Sequence, residues 1–343
     1  MKVHVTELRE GDRLSNDIFN PNGLNVLSQG TKLYSQDISK LYQHQIDYVD
    51  IEQRAVDTDE LADAAADVNL VYQEATRQCE ALFADARRAG AVDPLAVEVA
   101  FHPLAETVRQ QRDVVSMLLQ LGTKDDYTYQ HSVQVGMLSY YLANWMGLDE
   151  QEALVAGRAG FLHDIGKCRI ENAILNKPGK LTPAEFDEIK KHPQYGYDII
   201  RQSFAEEELA IPALQHHERM DGSGYPHGLK GEAISQVSRI VAIADVYSAM
   251  ISSRVYQQSR DLLYVLQELH MLSFGQLDPH AVHCFIRHMI PNFIGKQVEL
   301  TSGRTGVIVM TNANDFFRPL IQLETGFLDL SHHHGDAIVH VRM

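Results

Sequence analysis

The sequence predicts a mainly α-helical protein with a small β-rich module at each end. Three observations predict it. Residues 113–290 are dominated by helical periodicity of apolar residues. Residues 57–90 are rich in Ala, Asp and Glu without Gly or Pro until the last position, which reads as one long helix. At both ends, short apolar stretches alternate with turn signals, the pattern of strands. The chain divides accordingly into a β-rich module at 1–56, a helical connector at 57–112, a helical domain at 113–290 and a β module at 291–343.

In order along the chain, VHV, LNVLSQGTKL and DYVDIE read as strands, with REGD and NPNG as turns and SQDISKLYQ as a short helix. After the long helix, Asp93-Pro94 and His102-Pro103 punctuate the chain. Leu104, Val108, Val115 and Leu118 then predict a helix over 104–121. His131, Val135, Leu138, Leu142 and Trp145 share one face of another. Near the end, KQVEL, TGVIVM, PLIQLE and AIVHV read as strands, with TSGR as a turn.

Composition narrows the function. No apolar run approaches the ~20 residues of a membrane helix, and MKVHVTELREGDRL carries no apolar signal core. The expectation is a cytoplasmic protein without membrane insertion. Three scattered cysteines, Cys79, Cys168 and Cys284, fit a reducing compartment and argue against a disulfide framework. A formal charge of −16 disfavours binding of long nucleic acid, yet leaves room for a small phosphorylated ligand in one pocket.

The chemistry concentrates in the helical stretch. In FLHDIGK, His163 and Asp164 stand together behind an apolar run. They read either as a polar pair ending a helix or as adjacent metal ligands. His131, His192, the pair His216-His217 and Asp245 lie on other apolar, helical segments. A lone histidine on such a face is usually a hydrogen-bonded core residue. Burying five imidazoles and two carboxylates in one domain without partners is expensive, and metal ions supply the partner. Mixed imidazole and carboxylate donors suit iron, manganese or zinc, and an aspartate can bridge two ions. Directly after HHE, ERMDGSGYPHGLKGEAI places three glycines and a proline within 221–228. That is a tight loop able to present Tyr225 beside the cluster.

The order His131, HDIGK, His192, HHE, DGSGYP, Asp245 resembles the HD-GYP branch of the HD phosphohydrolases, over about half of the chain. The resemblance implies an all-α, HD-type catalytic domain at 113–290, with the flanking modules as regulatory extensions. It implies two divalent metal ions, iron or manganese, held by His131, His163, Asp164, His192, His216, His217 and Asp245, with Asp164 bridging. It implies hydrolysis of cyclic di-GMP to linear pGpG, and in many members on to GMP, by a metal-activated hydroxide. Lys167 would face the scissile phosphate and share the catalytic role with Asp164. Gly224, Tyr225, Pro226 and Arg254 would contact the nucleotide.

Several positions depart from the family pattern. Tyr127 stands where members with a third metal carry a glutamate, so two ions are expected. Arg254-Val255-Tyr256-Gln257 replaces Arg-Pro-Tyr-Lys, and the lost cation would weaken binding by about 1–3 kcal/mol if it met phosphate. Ser248 replaces a frequent aspartate and receives no role. His280, His283, Cys284 and His288 have helical spacing but read as an ordinary helix started by Pro279. His332–His334 read as an exposed loop, and Cys168 as a packed residue. The acidic helix at 57–90 reads as a solvated face or a homodimer contact. Two rival readings stand beside the enzyme. One is a weakly catalytic sensor that binds a cyclic dinucleotide or signalling proteins. The other is a phosphohydrolase for another cyclic dinucleotide, a nucleotide monophosphate or (p)ppGpp.

Overall fold

The structure, a computed structural model, describes the chain apart from residues 1, 6–7, 9–10, 20–24, 35–36, 39, 42–43, 45, 47, 53–57, 111–126, 253–261, 313–314 and 343. It forms two compact units, Met1–Ala65 and Ala66–Met343.

In the first unit, β1 (Lys2–His4) pairs antiparallel with β4 (Tyr48–Asp50), Val3 opposite Val49. β2 (Ile18–Phe19) pairs with β3 (Asn25–Leu27). Strands lie at the predicted VHV, LNVLSQGTKL and DYVDIE, though in the second stretch the strand covers only Asn25–Leu27. Their inward residues join Leu14, Leu33, Leu41 and Ile51 in a small core of its own. Of the helix expected at SQDISKLYQ, residues 37–38 and 40–41 are helical.

The second unit contains most of α1 (Thr58–Ala89), followed by α2 (Pro94–Gln110), α3 (Tyr127–Trp145), α4 (Glu150–Leu162), a 3₁₀ turn (Ile165–Arg169) and α5 (Asn172–Leu175). Then come α6 (Pro183–Ile189), α7 (His192–Ser203), α8 (Glu207–Gln215), α9 (Gln236–Ser252), α10 (Leu262–Leu272) and α11 (Pro279–Met289). The prediction of a mainly helical fold holds. One boundary differs. α2 begins at Pro94 and runs through Pro103, where the sequence suggested a break and a helix only from Leu104. Pro94 opens the helix without losing a hydrogen bond, since the first N–H groups have no intrahelical partner. The Asp93 carboxylate accepts from Leu95 N at 3.0 Å. Pro103 costs about 3 kcal/mol in a helix interior. Val97, Ala100, Phe101, Leu104 and Ala105 form one buried stripe across it, and each large apolar side chain gains about 1.5–3 kcal/mol. The other part of the helix expected over 104–121 lies outside the described residues.

α3 is the central helix. It is buried on nearly every face, not on the single stripe its spacing suggested, because α4 and α9 pack on it and α2 and α11 add to the enclosure. Small residues permit the close approach. A Cβ on Gly160 would meet Ser139 Oγ at 2.6 Å and the Val135 carbonyl at 2.8 Å. α4 starts at a capping box, in which Asp149 accepts from Glu152 N and Glu152 accepts from Asp149 N, both at 2.9 Å.

The chain ends in an antiparallel five-stranded sheet of order β8-β7-β6-β5-β9. Its strands are β5 (Gln297–Leu300), β6 (Thr305–Met310), β7 (Leu320–Leu323), β8 (Gly326–Asp329) and β9 (Ile338–Arg342). β8 has no counterpart in the sequence reading, since Gly326-Phe327-Leu328-Asp329 is too short to show alternation. It exists through its register on β7, with Leu323 opposite Gly326. Val298, Ile308, Ile321 and Val341 on the inner face share a core with the helices. Among the described residues no helix is long and apolar enough to cross a membrane.

Candidate metal centre

α4 delivers the HD pair. The helix ends at Leu162, and His163 is its C-cap. Asp164 follows with φ −99° and ψ 5°, and the chain turns directly into the 3₁₀ segment. The pair therefore ends a helix and also points two donors inward. Gly166 lets this turn lie against α7. A Cβ there would overlap the His192 carbonyl oxygen and the Gly196 nitrogen. That backbone contact sets His192, the first residue of α7, beside Asp164.

Around Asp164 the donors converge. Its Oδ2 lies 3.3 Å from His163 Nε2 and 4.0 Å from His131 Nε2. Its Oδ1 lies 3.3 Å from His192 Nε2 and 3.8 Å from His216 Nε2. Asp245 on α9 brings Oδ1 to 2.9 Å from His131 Nε2 and Oδ2 to 4.0 Å from His217 Nδ1. Ligand atoms lie within 4.8 Å of one another in three groups. One is His192, His216 and His217, and another is His131, His163 and Asp245. The third, His163, Asp164 and His216, joins these two, which share no residue.

Backbone carbonyls fix which imidazole nitrogens face inward. His163 Nδ1 donates to the Gly160 carbonyl at 2.7 Å, and His192 Nδ1 to that of Ile189 at 2.7 Å. His216 Nδ1 donates to the Ala213 carbonyl at 2.9 Å. With Nδ1 protonated, each neutral ring presents a bare Nε2 lone pair. His192 Nε2 and His216 Nε2 then face each other at 3.2 Å. Two lone pairs at that distance repel unless a cation lies between them. His163 Nε2 and Asp164 Oδ1 are buried with no hydrogen-bond partner among the described residues. On the other side, His131 Nδ1 donates to Ser248 Oγ at 3.0 Å, and Ser248 donates to Gln134 Oε1 at 3.0 Å. That network turns Nε2 of His131 toward the Asp245 carboxylate, 2.9 Å away. The residues fit divalent metal, and the His and Asp clusters can hold it.

Burial lowers His217 from its ordinary 6.5 to about 3, and burial beside three other imidazoles holds His216 well below the histidine range. Burial opposes a charge on His163, but the Asp164 carboxylate outweighs it and raises this one ring. Burial alone would raise both carboxyls as well. His163 and Lys167 nevertheless hold Asp164 well below the usual range, and His131 leads the same effect at Asp245. These shifts predict how the metal-free protein responds to acid. His216 and His217 have folded values below their unfolded one, so the unfolded chain takes up protons first and stability falls as pH drops below about 6.5. Each contributes a slope of about 1.4 kcal/mol per pH unit below that point, and His163, whose value is raised, opposes them only above about 6.5. Thermal melts of EDTA-treated protein should show Tm falling from pH 7 to pH 5; a flat or rising Tm refutes the assignment.

The loop after HHE folds back onto it. Gly224 has no room for a side chain, since a Cβ would meet Arg219 N and Glu218 Cα at 2.5 Å. Tyr225 N donates to the His217 carbonyl at 3.2 Å. The Tyr225 ring stacks on His217 with centroids 4.6 Å apart. The Tyr225–Pro226 bond is cis, and Pro226 is exposed. Beneath the loop, Glu218 is 2% exposed. Its Oε1 accepts from His227 N at 2.7 Å and its Oε2 from Leu229 N at 2.9 Å. Glu218→Gln exchanges one acceptor for an NH₂ that faces an N–H donor. It should cost about 1.5–3 kcal/mol in urea unfolding and loosen the loop that carries Tyr225. An unchanged unfolding midpoint refutes this anchoring role.

Lys167 sits at the rim, 24% exposed in its side chain, with Nζ 2.5 Å from Asp164 Oδ2. Tyr127 opens α3. Arg254 and Gln257 lie outside the described residues. Sequence reasoning missed Ser248, Gln134 and Glu218. Ser248 is one turn after Asp245 on α9, and Gln134 is three residues after His131, so helical spacing was the only available signal.

A family model described as HD domain matches residues 109–280. A cyclic di-GMP phosphodiesterase of Pseudomonas aeruginosa is 34% identical over 255 residues, 74% of this chain and 61% of that protein. A cyclic di-GMP phosphodiesterase of Thermotoga maritima is 40% identical over 177 residues, 51% of this chain and 48% of that protein. A 3'3'-cGAMP-specific phosphodiesterase of Vibrio cholerae is 37% identical over 177 residues, 51% of this chain and 41% of that protein. This chain thus spans less than two thirds of each of these relatives. Among solved structures, an HDG"Y"P protein from Bdellovibrio bacteriovorus shares the fold at a TM-score of 0.51 and 15% identity, covering 83% of this chain and 97% of that one.

Proposed function

Because the chain belongs to the HD domain family, and carries the motifs of its HD-GYP branch, we propose that it is a metal-dependent phosphodiesterase that hydrolyses cyclic di-GMP to linear pGpG. The reading places it in the bacterial cytoplasm. His131, His163, His192, His216, His217 and Asp245 would hold two divalent ions, iron or manganese, with Asp164 shared between them. Bound there, the ions supply Lewis acidity for the attack of water on phosphorus. The facing Nε2 atoms of His192 and His216, 3.2 Å apart, carry the reading, since with each Nδ1 donating to a backbone carbonyl the neutral rings turn lone pairs toward each other.

The remaining roles belong to the chain. Backbone carbonyls hold three imidazoles in one tautomer, so that protein motion need not reorganise the site. Lys167 compensates the buried Asp164 charge and places an ammonium at the rim, where a phosphodiester oxygen would meet it. Glu218 and Gly224 seat the loop from which Tyr225 and Pro226 would contact nucleotide. Arg254 is assigned a phosphate contact from its motif position alone.

The test is anaerobic loading with Fe(II) or Mn(II), followed by chromatography of cyclic di-GMP, with His163→Ala/Asp164→Ala as control. Conversion to pGpG by the parent and none by the control is the expected outcome. Binding without turnover would make the chain a sensor. The similarity to a 3'3'-cGAMP-specific enzyme makes that mixed dinucleotide the second substrate in the panel.

A further inference from the structure

Beside the metal centre the second unit holds a cleft of about 710 Å³, within the ~300–1,000 Å³ of sites that take up small ligands. Lys167 belongs to both places. Its side chain lines the cleft, while its Nζ bonds Asp164. The opposite wall is α1, which lies before the segment matched by the HD family model and contributes Glu80, Phe83 and Arg87. Tyr129 packs edge-on against Phe83, with centroids 5.3 Å apart and planes at 78°, and Asn172 adds an amide.

Glu80 and Arg87 are seven residues apart, which puts them on one face of α1, two turns or about 10.5 Å along its axis. Both are exposed to the cleft, and among the described residues neither forms an ion pair, whereas the adjacent Arg88 bonds Asp85 at 2.7 Å. Their separation is too great for a mutual salt bridge and leaves space for a flat polar ring between them. A carboxylate only accepts hydrogen bonds, and a guanidinium only donates them. The ring that matches both is guanine. It presents O6 and N7 as two adjacent acceptors for an arginine fork, and N1–H with the 2-amino group as donors for a carboxylate. Adenine would turn its 6-amino group toward Arg87 and offer Glu80 no N1–H.

We propose that this cleft seats the guanine of the nucleotide half that is not being cut, with Arg87 reading O6 and N7 and Glu80 reading N1–H and the 2-amino group. The assignment rests on the phosphodiesterase reading above and deepens it. Discrimination between guanine and adenine then comes from the helix that precedes the family domain, while the metal centre is indifferent to the base. Glu80 and Arg87 are specificity-determining residues and take no part in the cleavage.

The test compares the metal-loaded full chain with Arg87→Ala, Arg87→Lys and Glu80→Gln on three substrates: cyclic di-GMP, cyclic di-AMP and bis(p-nitrophenyl) phosphate. Arg87→Ala and Glu80→Gln should lower kcat/KM for cyclic di-GMP by about tenfold or more, the size expected for losing one bidentate base contact, and chiefly through KM. The effect on cyclic di-AMP should be small, and bis(p-nitrophenyl) phosphate should be unaffected. Arg87→Lys, which keeps the charge without the fork, should not restore the guanine preference. Equal losses on both cyclic dinucleotides would make Arg87 a phosphate contact and overturn the proposal, as would unchanged kinetics. If the parent cleaves only bis(p-nitrophenyl) phosphate, the substrate reading has failed and binding decides the cleft. Calorimetry of GMP with the EDTA-treated chain should then show at least tenfold weaker binding for Arg87→Ala, with AMP bound weakly by both; equal GMP affinity overturns it.

Discussion

Asp164→Asn is expected to lower turnover of cyclic di-GMP by about 10³-fold or more and to halve the metal content. Among the described residues, the carboxylate is the one group within 4.0 Å of four imidazoles, those of His131, His163, His192 and His216. Asparagine keeps the shape but removes the charge, and it replaces one acceptor oxygen by a donor NH₂. That NH₂ cannot ligate metal, so one lobe of the donor set loses its shared oxygen. About 4 kcal/mol of lost transition-state stabilisation corresponds to the expected factor, at ~1.36 kcal/mol for each tenfold. Elemental analysis and initial rates check it together. Full metal retention with a rate within tenfold of the parent would overturn the proposed sharing of Asp164 between two ions. Far-ultraviolet circular dichroism should be unchanged, because Asp164 precedes the 3₁₀ turn without a side-chain capping bond.

Gly166→Ala has the largest expected effect on stability, although alanine is normally the better residue in helical backbone. The added methyl would overlap the His192 carbonyl and the Gly196 nitrogen, both main-chain atoms that cannot rotate away. The 3₁₀ turn and α7 must separate, at a cost of about 3 kcal/mol, the upper end of usual overpacking penalties. For a unit of this size that is a Tm lower by about 6–12 °C. Separation also draws His192 from Asp164, so metal affinity should fall with stability. Gly335→Ala is the control, since a Cβ there meets nothing within 4 Å, and its Tm should stay within about 1–2 °C of the parent. Equal effects of the two substitutions would show that the close approach at Gly166 is not what holds the turn.

The two substitutions also show what could be read in advance. Asp164 was visible because a carboxylate next to a histidine behind an apolar run has few inexpensive explanations. Gly166 was visible only as a letter of the motif, because its reason is a backbone that arrives from residues 192–196. Glu218 was quoted within HHE but given no task, since its partners, the N–H groups of His227 and Leu229, come from the far end of the loop it anchors, where no sequence spacing marks them. Ser248 looked like a lost aspartate and proves to orient His131. β8 and the continuity of α2 through Pro103 were also invisible, because neighbours from elsewhere in the chain outweigh weak or contrary local preference.

By itself the sequence determined the helical class and the strand-rich ends, and it pointed to seven histidines and aspartates as candidate donors that the fold brings together. These follow from local periodicity and from the cost of burying polar groups, both of which are written into residue type and spacing. Only the tertiary structure decided which imidazole nitrogen faces inward, which donors share a lobe, and that α1 lines a cleft reached through Lys167. Those are relations between segments far apart in the chain, set by packing and by carbonyl positions that no short stretch encodes.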